Sequence, residues 1–199
     1  MARRDDPRGY VGMSAHFFSG AGVAKDKSRA EACLVEAARR DHLRGILLLG
    51  EFDLGLRNEE IPDAPKAYAV LRGIALPEEV SRRGDPQGFD ALARFFHLKQ
   101  NEPRKREFYA REAFKMDPQA FPSELASLYQ LENSPLYDPE QAACLLALED
   151  VPKRDRVRNS ALVSACPRQG GPLTRADSGL PPAPGRLDLG TLQPIYVPR

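Results

Sequence analysis

Tryptophan is absent from the 199 residues, and Phe and Tyr bring the aromatic share to only 8%. A core must therefore be built mainly from Leu, Ala, Val and Phe. Cysteine is scarce: Cys33, Cys144 and Cys166 form an odd, sparse set. Such a set does not read as a disulfide framework and fits a reducing compartment. Long apolar runs are missing as well. No stretch is long enough to span a bilayer, and the charged start Met1-Ala2-Arg3-Arg4-Asp5-Asp6-Pro7 lacks the apolar segment of a secretory signal. The expectation is a cytoplasmic protein with no membrane span.

An excess of one charge sign is also lacking, since the formal net charge is +1. The chain as a whole has no electrostatic bias toward nucleic acid or membrane. That balance hides an asymmetry. Residues 151–199 hold 8 Lys and Arg against 3 Asp and Glu, so a mildly acidic body carries a basic C-terminal stretch.

The residue sets that carry chemistry are missing too. His16, His42 and His97 show no helical metal-site spacing, and neither CxxC nor HExxH occurs. No nucleophile is paired with a base. Gly20-Ala21-Gly22 is not followed by Gly-Lys-Ser/Thr and reads as a turn, not a phosphate loop. Glu59-Glu60 and Glu78-Glu79 read as exposed acidic pairs in or near turns. No catalytic, cofactor-binding or metal-ligating residue is expected, and the chain is not expected to be an enzyme.

What is present is apolar periodicity, with 42% hydrophobic and 29% charged residues, a balance that suits a globular protein. Tyr10, Met13 and Phe17 recur at helical spacing ahead of the Gly20-Ala21-Gly22-Val23 turn. Asp26 is an N-cap candidate, and Ala30, Cys33, Leu34, Ala37 and Ala38 form the next stripe. Together they predict a helix–turn–helix hairpin. Thirty-six residues on, Gly45, Leu49 and Gly50 repeat the places of Gly9, Met13 and Ser14. The second unit's later helix carries Ala67, Val70, Leu71 and Ile74, and Pro77 is expected to end or kink it.

A third unit follows Asp85-Pro86-Gln87-Gly88, with Phe95, Phe96, Phe108, Tyr109 and Phe114 on its stripes. A fourth follows Asp117-Pro118, with Leu125, Tyr129, then Asp138-Pro139, Ala142, Cys144 and Leu145. Cys33 and Cys144 fall at similar places in second helices, where each reads as a small core residue. About four weakly similar hairpins over residues 8–150 predict an all-α stacked solenoid. Residues 151–199 hold 8 of the 18 prolines and lack periodicity, which predicts a disordered tail.

The first hairpin resembles the Sel-type (suppressor/enhancer-of-Lin-like) repeat, a relative of the tetratricopeptide repeats. Gly20-Ala21-Gly22-Val23, Asp26, Ala30, Ala37-Ala38 and His42 fall in that repeat's places, and Leu49-Gly50 matches its next Leu-Gly step. Phe96, Phe108-Tyr109 and Tyr129 fall on its aromatic positions. The resemblance implies an adaptor or scaffold that binds other proteins, of bacterial type, without catalytic residues.

The solenoid geometry implies a concave groove lined mainly by first helices. The first unit starts almost at the N-terminus without a polar cap, so Tyr10, Met13 and Phe17 are the expected partner-binding or self-association surface. The alternative is electrostatic nucleic-acid binding through Arg104-Lys105-Arg106 and Lys153–Arg158, with Phe108 and Tyr109 stacking on bases. The packing stripe claims those aromatics first, so nucleic acid is not the expected partner.

Overall fold

A computed structural model of the chain describes residues 6–56, 66–98, 100–117, 122–130, 132, 134–148, 166 and 173–195. Among the described residues there are eight α-helices and no strand. They are α1 (Pro7–Ser19), α2 (Lys27–Arg39), α3 (Leu43–Asp53), α4 (Lys66–Arg82), α5 (Gln87–Leu98), α6 (Pro103–Met116), α7 (Pro122–Tyr129) and α8 (Pro139–Ala147). A 3-10 turn, Leu189–Thr191, follows near the C-terminus. No helix among them is long and apolar enough to cross a membrane. The fold class is all-α, and neighbouring helices pack on one another as in a helical solenoid.

The chain divides into two compact units. The first holds residues 1–83 with residues 184–199, and the second holds residues 84–183. In the first unit α1 packs on α2, α2 on α3 and α3 on α4. Side-chain caps fix the starts of three of its helices. Asp6 accepts from the Arg8 amide at 2.9 Å, Asp26 from the Arg29 amide at 3.0 Å, and His42 Nδ1 from the Gly45 amide at 3.1 Å. Gly20, at φ 76°, closes α1 in the left-handed conformation.

The core of this unit draws on Ala30, Leu34, Ala37 and Ala38, then Ile46, Leu49 and Phe52, then Leu76 and Val80, all at most 1% exposed. Helix contact is closest at two glycines. A Cβ on Gly45 would lie 2.6 Å from the Ala37 Cβ, and one on Gly50 would lie 2.6 Å from the Pro77 Cδ. The repeated small residues therefore mark where α3 meets its neighbours.

Helix α4 departs from expectation in its buried face and its acidic pair, and of the two outcomes expected at Pro77 the ending of the helix does not occur. It runs through Pro77 to Arg82, with the ring seated in the space that Gly50 leaves. Its buried face is Ala69, Arg72, Gly73, Leu76 and Val80, while Leu71 is 66% exposed. The stripe expected through Leu71 was thus rotated, because an arginine holds an inward position. Glu78 and Glu79 are buried in the helix, not exposed in a turn. Glu79 accepts from Arg83 at 2.9 Å and pairs with Arg82 at 2.8 Å. Glu59 and Glu60 lie outside the described residues.

In the second unit α5 packs on α6, α6 on α7 and α7 on α8. Tyr109 is fully buried and stacks on Phe96, with ring centroids 5.7 Å apart. A further cluster joins Phe114, Leu125, Ala126, Tyr129, Ala142, Leu145 and Cys166. Cys144 is disulfide-bonded to Cys166, against the expectation that the cysteines stay unpaired. Their spacing in the sequence concealed the pairing, because Cys166 sits in a stretch with no apolar period. The Gln141 amide side chain donates to the Cys166 carbonyl at 3.0 Å and fixes the same junction. Cys33 is the free cysteine, half-buried on α2.

The disordered-tail expectation also needs correction over residues 173–195. Prolines do keep this stretch free of α-helix, yet Leu180, Leu189 and Leu192 are at most 8% exposed. Isolated leucines can fill sites on finished helices without any periodicity of their own. Apart from Cys166, the rest of residues 151–199 lies outside the described residues.

Candidate functional site

The most elaborate polar arrangement belongs to the first unit, where α2, α3 and α4 each contribute a buried charged side chain. Glu31 stands on α2 beside Ala30 and Leu34, Asp53 ends α3, and Arg72 lies on the inner face of α4. Their side chains are at most 3% exposed. Arg72 donates to both Asp53 oxygens, from Nε at 2.6 Å and Nη2 at 2.7 Å. It also donates to Glu31 Oε1 at 2.7 Å. Planar guanidinium geometry suits this forked pairing.

The cluster grips the C-terminal segment by its main chain. Arg72 Nη1 donates to the Gln193 carbonyl at 2.5 Å, and Glu31 Oε1 accepts from the Ile195 amide at 2.6 Å. Two turns along α2, Arg39 donates to the Leu192 carbonyl from Nε at 2.8 Å and also from Nη2. Arg82 reaches the Pro184 and Gly185 carbonyls at 3.4 Å.

The spacing explains the fit. Glu31 and Arg39 are about 12 Å apart along a helix rising 1.5 Å per residue. Three residues of extended chain, from Leu192 to Ile195, cover about 10 Å. The segment therefore lies along α2, running opposite to it. Its 3-10 turn packs on α2, and the Leu189 and Leu192 side chains are buried. Gly190, Thr191, Gln193 and Pro194 face outward. The surface so used is on second helices, not on the first helices expected to line a groove.

Burial dominates the electrostatics. It pushes the Asp53 carboxyl up to about 6, opposed by the hydrogen bonds and charge of Arg72 and reinforced by the negative Glu31. Asp53 thus titrates well above the usual carboxylate range.

The residues singled out from the sequence are placed differently. Tyr10, Met13 and Phe17 do share one face of α1. Met13 is 42% exposed, but Tyr10 and Phe17 are half-buried under cations, Arg40 at 4.6 Å and Arg29 at 5.8 Å from the ring centroids. The side chain that α1 buries is Ser14. Phe18 meets Phe52 of α3 at 5.1 Å.

Arg104, Lys105 and Arg106 do not act together. Arg104 is exposed, Lys105 lies over the Phe96 ring and pairs with Glu102, and Arg106 is half-buried beside His97 Nδ1 at 3.1 Å. Tyr109 is fully buried and cannot stack on a base. Lys153–Arg158 lies outside the described residues.

A cleft of about 530 Å³ in the second unit is lined by His97, Glu102, Arg106, Leu128, Glu132 and Leu136. Burial, then the charge of Arg106, lowers the His97 pKa. The mixed signs of the lining select no one ligand chemistry.

Sequence reasoning missed Glu31, Asp53 and Arg72. A signal was present for Glu31, which holds a stripe position with Leu34, Val35 and Ala38 at helical spacing. A carboxylate inside an apolar stripe requires a buried partner. No comparable local signal marks Arg72. Comparison with family models, curated proteins and solved structures finds no match to this chain.

Proposed function

We propose that the chain is a protein–protein interaction module, an adaptor or scaffold of the Sel-type repeat kind, of bacterial type and without catalytic activity. One observation carries this reading. Side chains of α2 and α4 hold an extended stretch of polypeptide by its main-chain groups. A helical-repeat surface that grips a main chain suits binding of other polypeptides. The degenerate Gly, Ala and Leu-Gly places of the first two units support the family assignment.

The test is cross-linking mass spectrometry on the affinity-captured full chain. Partner peptides linked to the first unit, insensitive to nuclease, are the expected result. A chain that stays a lone monomer, or whose partners vanish with nuclease and moderate salt, contradicts it. The nucleic-acid alternative draws no support from Arg104–Arg106, where Lys105 pairs with Glu102 and Arg106 is half-buried, leaving Arg104 exposed.

The cytoplasmic placement is at odds with the Cys144–Cys166 bond, because cytosolic thiol systems keep most cysteines reduced. Thiol trapping in intact cells decides the point. Alkylated Cys144 and Cys166 fit the cytoplasm, and protected ones fit an oxidising compartment.

A further inference from the structure

We infer that the cleft of the second unit is a binding site for a small organic monocarboxylate with an apolar body, and that Arg106 and His97 receive its carboxylate. The inference goes beyond the interaction-module reading and does not rest on it.

The turn between α5 and α6 builds the site. Asn101 takes the left-handed conformation at φ 50°, which asparagine tolerates, and the Glu102 amide donates to the Phe96 carbonyl at 2.9 Å. This turn brings the end of α5, with Phe96 and His97, against the first turn of α6, with Arg106. His97 and Arg106 line two cavities at once. One is the cleft of about 530 Å³, and the other is a pocket of about 100 Å³ between α5, α6 and α7. The larger volume falls in the range of small-molecule sites, roughly 300–1,000 Å³.

The signs of the lining select no ligand by themselves, and the pairing of the charges decides. Glu102 pairs with Lys105, and Asp90 pairs with Arg94 at 3.0 Å. Glu132 is exposed, so solvent screens it. Arg106 is half-buried, and among the described residues no carboxylate pairs with it. Its Nη1 donates to His97 Nδ1 at 3.1 Å and its Nη2 to the Ser127 hydroxyl at 3.4 Å, both neutral acceptors. Burial lowers its pKa, whereas Arg72 and Arg83, each paired with carboxylates, are shifted upward. A partly desolvated guanidinium without a counter-ion is stabilised by an anion brought from outside.

His97 is held in one form. A guanidinium only donates, so Nδ1 accepts, the ring is neutral, and its proton sits on Nε2. The pair therefore presents one positive charge, with the remaining Arg106 N–H groups and His97 Nε2–H as donors. One positive charge balances a monoanion. A dianion brings a second negative charge to a cleft that Glu102 and Glu132 also line. The two oxygens of a carboxylate match the guanidinium fork. Phe96, Leu128 and Leu136 supply apolar wall, which sets the character of the ligand's body.

The experiment titrates the isotope-labelled full chain at neutral pH with phenylacetate and hexanoate, one aromatic and one aliphatic monocarboxylate, and follows backbone amide shifts by nuclear magnetic resonance. Saturable shifts are expected for at least one of them, at the amides around His97, Arg106 and Leu128. The neutral amide of that acid should bind at least tenfold more weakly, by loss of charge-assisted hydrogen bonds. Inorganic phosphate should compete at least tenfold less well. Arg106→Gln keeps a polar side chain without the charge and should abolish the preference for acid over amide.

The acid–amide comparison is made on the parent chain, so it decides the matter even if Arg106→Gln loses helix content. Absence of saturable shifts with both acids overturns the inference, as do shifts confined to other helices. Equal binding of acid and amide overturns it, and so does a folded Arg106→Gln chain that still prefers the acid. Phosphate bound more tightly than either acid overturns the monocarboxylate in favour of a phosphate ligand.

Discussion

Arg72 holds together three elements that otherwise bring two buried carboxylates face to face. Removing its charge leaves Glu31 and Asp53 buried without their cation. Loss of one partner from a buried ion pair costs about 3–5 kcal/mol. Arg72→Met should lose stability on that scale in chemical denaturation and release the C-terminal segment to protease. A loss under about 1 kcal/mol contradicts the cluster, being the scale of an exposed ion pair.

Asp53 gives a pH signature with a definite sign. Its folded pKa of about 6 is above the unfolded value near 3.9, so the folded chain holds the proton more tightly. The stability from this group is full below about pH 4 and is lost as pH rises through about 6. Two units correspond to about 3 kcal/mol. Measured against Asp53→Asn, the parent should lose about that much between pH 4 and 7. A parent that gains stability relative to the variant over that range contradicts the burial of Asp53.

At the scale of elements, the disulfide ties Cys144 of α8 to Cys166, 22 residues further along the chain. Closing a loop of this length removes about 3 kcal/mol of chain entropy from the unfolded state. Cys166→Ser should lower the stability of the second unit by about that amount, with hydrogen exchange rising first in α7 and α8. Equal loosening of α1 to α4 contradicts this.

Much of this scale was legible in the sequence. Asp26 caps its helix as read, Asp138 caps α8 in the same way, and Gly45 and Gly50 stand at close approaches. The stripe of α4 was not legible, since a buried arginine reverses the usual rule that charge faces water. The α2–α4 site was invisible for a related reason. Its ligand is 100 or more residues away in the chain and touches by backbone, which no side-chain pattern records.

At the scale of the molecule, each unit carries its own core, and stability in helical repeats is built from local and neighbour terms. Leu34 is fully buried on α2. Leu34→Ala should cost about 2–5 kcal/mol, appearing in hydrogen exchange as opening of α1 to α3 before the helices of the second unit. Simultaneous opening of all eight helices contradicts separate cores.

The central claim is that the first unit grips an extended main chain, and the Ile195 amide reports it most directly. Its hydrogen goes to the buried Glu31 carboxylate at 2.6 Å. By nuclear magnetic resonance, that amide should exchange at least about a hundredfold more slowly than in the free peptide, as a structural hydrogen bond requires. Glu31→Gln should weaken the protection while α2 stays helical. Exchange of Ile195 at the free-peptide rate in the folded parent chain would contradict the account.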